Sequence, residues 1–317
     1  MSVKAQCPGC GCGGGEQKPL EKINIAEQHQ KYAPANPEVC RRLTDEAEKS
    51  APSYQMLCCA NCGLEFADPM RSPNASWYAL AYQTLALYPQ ARWEFQTCLN
   101  ALGPSDEVFE FGCGSGAFLE HCHAKKIKAR GVDFSPDAVD QCVQKGLDAF
   151  IFEIGSPLPA TTGQSASQIM AFHVLEHLEQ PRLLYEQALQ VAASDAQLWI
   201  AVPSCLRPTR QRGITDFLDQ PPHHMTRWSQ TSLEQIGLKN GWRMIRFQTE
   251  PLSFRTALWW IVKSSRYYRV RREEGRLSNA TIERCLRFAN YPAAMIRRMT
   301  VDRKLTGFSM LACYVRS

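Results

Sequence analysis

Several things are missing from this 317-residue chain, and each absence excludes a class of protein. It has no run of 18 uncharged apolar residues, so no membrane-spanning helix is expected. The opening residues, Met1 to Cys7, contain no apolar signal region, and a cytoplasmic location is expected. No Gly-Lys-Ser/Thr follows the glycine-rich turn at 112–116, which excludes a phosphate-binding P-loop there. That turn reads G-x-G-x-G and lacks the later third glycine of a dinucleotide site, which argues against an NAD(P)-dependent oxidoreductase. No signature of a nucleic-acid-binding module is present, so a nucleic-acid partner is not expected. Acidic residues are scarce in one region. Residues 251–317 carry 4 Asp and Glu against 14 Lys and Arg, a net of +10, whereas residues 1–250 carry 27 against 22, a net of −5. Any anionic partner should therefore dock on the C-terminal region.

The stretch Val108 to Leu119 organises what is there. It reads as an apolar strand, a glycine turn and the start of a helix. Gly112, Gly114 and Gly116 sit where the chain must turn tightly and let a ligand approach bare backbone. Glu110 lies near the end of that strand. About 20 residues on, a short strand ends in Asp133. An acidic side chain there is placed to accept hydrogen bonds from ribose hydroxyls. Strands at Glu107–Phe111, Ala129–Asp133, Ala149–Phe152, Gln168–Phe172 and Gln197–Val202 alternate with helices. That alternation implies an α/β fold with a doubly wound parallel sheet, whose ligands bind at the carboxyl ends of the strands.

The segments Glu110-Phe-Gly-Cys-Gly-Ser-Gly116, Gly131-Val-Asp-Phe-Ser-Pro136 and Phe172-His-Val-Leu-Glu-His-Leu178 resemble the successive motifs of class I S-adenosylmethionine-dependent methyltransferases. The resemblance covers roughly residues 94–250 and the last strand. It implies a seven-stranded Rossmann-like sheet, S-adenosylmethionine as cofactor, and methyl transfer. It also implies cofactor contacts by Glu110, Gly112, Gly114, Gly116, Asp133, Phe134, Glu153 and His173, with Glu153 near the adenine amine. The local sequence from Glu153 to Pro159 lacks the family's usual aspartate, which leaves the adenine contact open. The loop with Glu176 and His177 is expected to line the methionine end of the cofactor and the substrate mouth. His177 either orients the substrate or caps the next helix.

Residues 1–70 read as a separate small module. Cys7-Pro-Gly-Cys10 and Cys59-Ala-Asn-Cys62 are two C-x-x-C knuckles, and four thiolates from such a pair satisfy a tetrahedral zinc ion. Four cysteine ligands leave no open position, so this zinc is expected to be structural. Cys12 and Cys58 are neighbouring thiols that could substitute. Similar modules precede the catalytic domain in some relatives of the resembled family, sugar methyltransferases among them. A polar helix is expected over Asn36–Lys49. Residues 71–102, rich in Trp and Tyr, are expected to form one or two helices broken at Pro89, as a packed linker or a lid.

Residues 103–317 complete the enzyme domain, with a helical basic insertion at 252–306 before a last strand at Gly307–Arg316. Aromatics beside arginines in the insertion suit an anionic membrane surface or a phosphate-bearing substrate. A peripheral contact at the inner face of the membrane follows from the first of these. In Pro221 to Ser229, two adjacent histidines cannot both face inward on an extended segment, so either His223 or His224 should reach the cleft as base. No H-x-x-x-H spacing around that pair marks it as a metal site. The expected activity is methyl transfer to a small-molecule or glycan acceptor, such as a sugar nucleotide or lipid-linked intermediate. The rival is a non-catalytic scaffold that docks a partner or membrane through its basic helices.

Overall fold

The computed structural model describes residues 5–13, 17–31, 37–85, 92–159, 162–207, 210, 219–252 and 306–317. The basic insertion expected at 252–306 therefore lies almost entirely outside the described residues, and so does Pro89. Among the described residues, no helix is long and apolar enough to cross a membrane.

The main sheet has seven strands. They are β4 (Glu107–Phe111), β5 (Lys128–Asp133), β6 (Asp148–Ile151), β7 (Ala166–Phe172), β8 (Ala192–Pro203), β10 (Trp242–Pro251) and β11 (Thr306–Arg316), in the order β10-β11-β8-β7-β4-β5-β6. The pairs β4–β5, β4–β7, β5–β6 and β7–β8 are parallel. The seven-stranded, doubly wound Rossmann-like sheet expected from the sequence is the sheet observed. Its strands are apolar on both faces because each face is covered. Phe109, Phe111, Ile169, Ala171, Leu198 and Ile200 pack into one core cluster. Val108, Met170, Phe172, Trp199 and Ala201, one residue out of phase, pack into another.

The helices between strands start and stop for local reasons. Helix α5 (Ala117–Ala124) begins where Gly116 turns with φ 85°. Helix α6 (Pro136–Gln144) has Ser135 as N-cap, accepting the Ala138 N–H, and a proline in its first turn. Helix α7 is Arg182–Val191 and helix α8 is Gln230–Lys239; Ser229 and Ser232 form a capping box at the start of α8. The strand order reverses direction between β4 and β7. That junction is where ligands bind in sheets of this kind.

A second sheet has the order β1-β2-β3-β9, from β1 (Gln17–Asn24), β2 (Ser53–Cys59), β3 (Glu65–Asp68) and β9 (Thr226–Arg227). The helices α1 (Ile25–Lys31), α2 (Pro37–Glu48), α3 (Ala75–Leu85) and α4 (Trp93–Leu99) precede the main sheet. The N-terminal cysteines share a core cluster with the main sheet: Cys7, Cys10, Cys59, Cys62, Leu64 and Phe66 belong to the cluster that contains Phe109 and Phe111. β9, from the loop after β8, completes the small sheet by pairing with β3.

Residues 1–203, 215–248 and 310–317 form one compact unit. Residues 204–214 and 249–309 form another. Within the second, Ser204 and Thr306 share a hydroxyl hydrogen bond of 2.6 Å, and the Glu250 carboxylate accepts the N–H groups of Phe308 and Ser309.

Candidate active site

A cavity of about 1040 Å³ opens at the carboxyl ends of β4, β5, β6 and β7. Its size suits a nucleoside-bearing cofactor together with an acceptor. The glycine turn after β4 forms one wall. Gly112, Gly114 and Gly116 have φ values of 71°, 53° and 85°, a region that side chains rarely enter. A Cβ on Gly112 would lie 2.3 Å from Val174, and one on Gly116 would lie 2.6 Å from Leu147. Asp133 crosses to this turn: its carboxylate accepts the Gly114 N–H at 2.9 Å and the Ser135 N–H at 2.9 Å. Burial raises the Asp133 pKa, and those backbone donors oppose the rise.

Glu110 stands behind the turn, 2% exposed, and its Oε2 is buried without a hydrogen-bond partner among the described residues. Burial, with Cys142 and Asp133 nearby, pushes its pKa well above the carboxylate range. A buried, unsatisfied acceptor beside a bare backbone turn fits a polar ligand with donor groups. Phe134 and Glu153 sit at the rim of the same cavity. Phe134 is 39% exposed and meets the edge of Tyr78 from α3, with ring centroids 5.5 Å apart. Helix α3 packs through fully buried Trp77, and its Tyr78 lines the cavity.

His173, at the end of β7, is held in a left-handed conformation with φ 56°. Such strain in a non-glycine residue persists only where surroundings enforce it. Here two carboxylates do so. Nε2 bonds Glu94 at 2.9 Å and Nδ1 bonds Glu176 at 3.2 Å. Burial and Arg92 oppose charging the ring, but both carboxylates override them and raise the His173 pKa. Burial likewise opposes ionisation of Glu94, yet the His173 bond and the His173 and Arg92 charges hold it at about 2. Glu94 and Arg92 were not singled out in the sequence. No local pattern marks a helix glutamate whose partner is 79 residues away.

His177, His223 and His224 converge in the same cavity. The His177 Nδ1 lies 2.7 Å from the carbonyl oxygen of His223. The His224 Nδ1 lies 3.4 Å from Asp219 Oδ1. The rings of His223 and His224 stack at 4.6 Å. This corrects the expectation that only one of the adjacent pair faces inward. The segment is a turn, closed by the His224 N–H on the Gln220 carbonyl, so the alternation of an extended strand does not apply. The prolines at 221 and 222 were the available signal. Burial, then the neighbouring His223 and His224, drive the His177 pKa well below the ordinary histidine value.

The cysteines of the two knuckles form a separate cluster. Cys7 and Cys62 sulfurs are 3.6 Å apart, Cys10 and Cys59 sulfurs 3.5 Å, and all four residues are buried. Four sulfurs about 2.3 Å from one tetrahedral ion would be about 3.8 Å apart, close to these two separations. Gly11 and Gly63, each after the second cysteine of a knuckle, both have φ 72°. Cys12 and Cys58 lie outside the cluster. The thiol of Cys62, bonded to Cys7, lowers the Cys7 pKa to about 5.

A family profile described as a methyltransferase domain matches residues 82–246. The chain belongs to that family. It is similar to an uncharacterized methyltransferase of Schizosaccharomyces pombe, 26% identical over 148 residues, which is 46% of this chain and 48% of that protein. The chain thus matches about half the length of this curated relative. Among solved structures it is similar to a SAM-dependent methyltransferase from Archaeoglobus fulgidus (17% identity, 76% of this chain and 100% of that one, TM-score 0.47). It is also similar to Haemonchus contortus phosphoethanolamine N-methyltransferase 2 in complex with S-adenosyl-L-methionine (11% identity, 71% and 52%, TM-score 0.44). The matched segment contains the glycine turn, Asp133, the three clustered histidines and Glu94.

Proposed function

We propose that this chain transfers a methyl group from S-adenosylmethionine to a small-molecule or glycan acceptor. A single observation carries the reading: the left-handed glycine turn at 112–116, Asp133 and the three histidines all face one cavity. S-adenosylmethionine, when bound, supplies a methyl group already activated on a sulfonium. The protein must therefore bind it, align an acceptor and manage the acceptor's proton.

Bare backbone at Gly112 and Gly114, with the Asp133 and Glu110 carboxyl groups, would hold the nucleoside. Phe134 and Glu153 at the rim would flank the adenine. His173, fixed between Glu94 and Glu176, lies on the β7 side, where the methionine end would extend. Tyr78 on α3, which lines the cavity, would limit water access. The imidazole cluster handles the acceptor's proton. A carbonyl can only accept, so His177 carries its proton on Nδ1 and offers the lone pair of Nε2. Asp219, 3.4 Å from His224 Nδ1, would orient that ring in the same way. In its simplest form, His224 or His223 acts as the base.

The acceptor class, a sugar nucleotide or lipid-linked intermediate, is part of the same proposal. It rests on the net charge of +10 over residues 251–317, which favours a phosphate-bearing molecule or an anionic lipid surface. The four-cysteine cluster is read as a structural zinc site. The test is to incubate the protein with methyl-labelled S-adenosylmethionine and cell extract, then separate the products by mass spectrometry. The label should enter phosphate-bearing small molecules or glycan lipids. Label confined to protein or nucleic acid would overturn the acceptor class, and no labelled product at all would overturn the activity.

A further inference from the structure

We propose that His177, His223 and His224 form a binding site for a first-row divalent metal ion, distinct from the cysteine cluster. One ring nitrogen from each of the three lies within 4.8 Å of the other two. Trigonal placement about an ion some 2.1 Å from each nitrogen needs each to move inward by no more than ~0.8 Å. Short side-chain motion in a cavity wall supplies that.

The surroundings already have the form that histidine metal ligands need. Such a ligand gives its second ring N–H to a carbonyl or carboxylate, which fixes the tautomer and aims the lone pair. His177 does so to the His223 carbonyl at 2.7 Å, and His224 to Asp219 at 3.4 Å. Asp219 is itself held, 3.6 Å from the guanidinium of Arg227. A second, independent observation points the same way. Glu176 is fully buried, its Oε1 is 4.0 Å from His224 Nε2, and its Oε2 has no hydrogen-bond partner among the described residues. A buried carboxylate with an unsatisfied oxygen, next to His224, is an environment a cation relieves.

Imidazoles with a carboxylate nearby select zinc, cobalt, nickel or copper over magnesium or calcium, which prefer oxygen ligands. Three protein ligands leave a further coordination position open. The site lines the same cavity as the glycine turn, so an oxygen of the acceptor can fill that position. The acceptor class is then one with an ionisable hydroxyl, which on the ion would give up its proton more readily to water in the open cavity. This last step rests on the methyltransferase reading and replaces the free imidazole base; metal binding itself does not depend on it. The sequence hid the site because His177 is 46 residues from His223.

The test uses full-length protein with the cysteine cluster filled by zinc, titrated with Co2+. Cobalt binds such sites more weakly than zinc and does not displace it. One Co2+ per chain should bind, with the visible d–d absorption of a nitrogen-ligated ion and no sulfur charge-transfer band. Affinity should fall about tenfold or more in His177→Asn and in His224→Asn, and stay unchanged in His123→Ala on an exposed helix face. Folding of each variant is checked by thermal melting. Should the buried variants unfold, stoichiometry and spectrum of the wild type still decide. No nitrogen-ligated cobalt in the wild type, or binding that survives in folded histidine variants, overturns the proposal. S-adenosylmethionine titration of the same samples separates the two readings. Cofactor binding without cobalt removes the metal site alone, and cobalt binding without cofactor binding removes the methyltransferase reading.

Discussion

The carboxylate of Asp133 accepts the backbone N–H of Gly114 at 2.9 Å, tying the end of β5 to the glycine turn 19 residues earlier. The Asp133 carboxylate and the bare backbone are thus one preorganised unit. Asp133→Ala removes both the tie and the acceptor. Loss of a charged hydrogen bond costs about 1.5–3 kcal/mol, so S-adenosylmethionine affinity should fall roughly 10- to 150-fold. Calorimetric titration measures it. An unchanged affinity would mean that Asp133 does not touch the cofactor.

Gly116→Ala should destabilise the fold itself. Its φ of 85° disfavours any side chain, and the new Cβ would meet Leu147 at 2.6 Å and the Cys142 sulfur at 2.9 Å. Strain and overpacking together should cost roughly 2–4 kcal/mol in urea denaturation. By contrast, Gly146→Ala shares the positive φ but meets nothing within 4 Å. It should cost only the backbone term of about 1 kcal/mol. Equal effects would show that packing around Gly116 is loose.

The Glu94–His173 pair predicts a pH signature. The Glu94 pKa is depressed from 4.5 to about 2, so its share of stability is present above pH 4.5 and drains away as pH falls toward 2. The His173 pKa is raised above 6.5. Its share is full below pH 6.5 and is lost as pH rises through the folded value. His173→Gln should therefore destabilise the protein most near pH 6 and least in alkali. Denaturation midpoints of wild type and variant at pH 6 and pH 9 test this; a gap that widens at pH 9 would contradict the charged-ring account.

On the structural-zinc reading of the cysteine cluster, loss of the metal should weaken the whole first unit. Cys7, Cys10, Cys59 and Cys62 share their core cluster with Trp228, Leu233 and the strands of the main sheet. Cys59→Ser should abolish zinc retention and lower the melting temperature by roughly 5 °C or more. Metal analysis and thermal melting are the readouts. Full zinc content in the variant would place the metal elsewhere.

Much of this was legible because the relevant patterns are local. Strand β4 matches its expected bounds, Glu107–Phe111, because an apolar run ending in a glycine turn has few alternatives. The last strand was expected at Gly307–Arg316 and observed one residue longer. β1 escaped notice: its residues are almost all exposed, so no apolar alternation betrays it. Glu94, Asp219 and the meeting of His177 with His223 are tertiary facts, and spacing along the chain does not encode them. Both adjacent histidines face inward because two prolines enforce a turn where strand alternation would turn one of them out.

The central claim is that this cavity is shaped for a sulfonium nucleoside. Isothermal titration of the folded protein with S-adenosylmethionine, and with S-adenosylhomocysteine, tests it most directly. The account predicts one saturable site per chain for each ligand, mutually competitive and weakened by Asp133→Ala. Folded protein that binds neither ligand would contradict it.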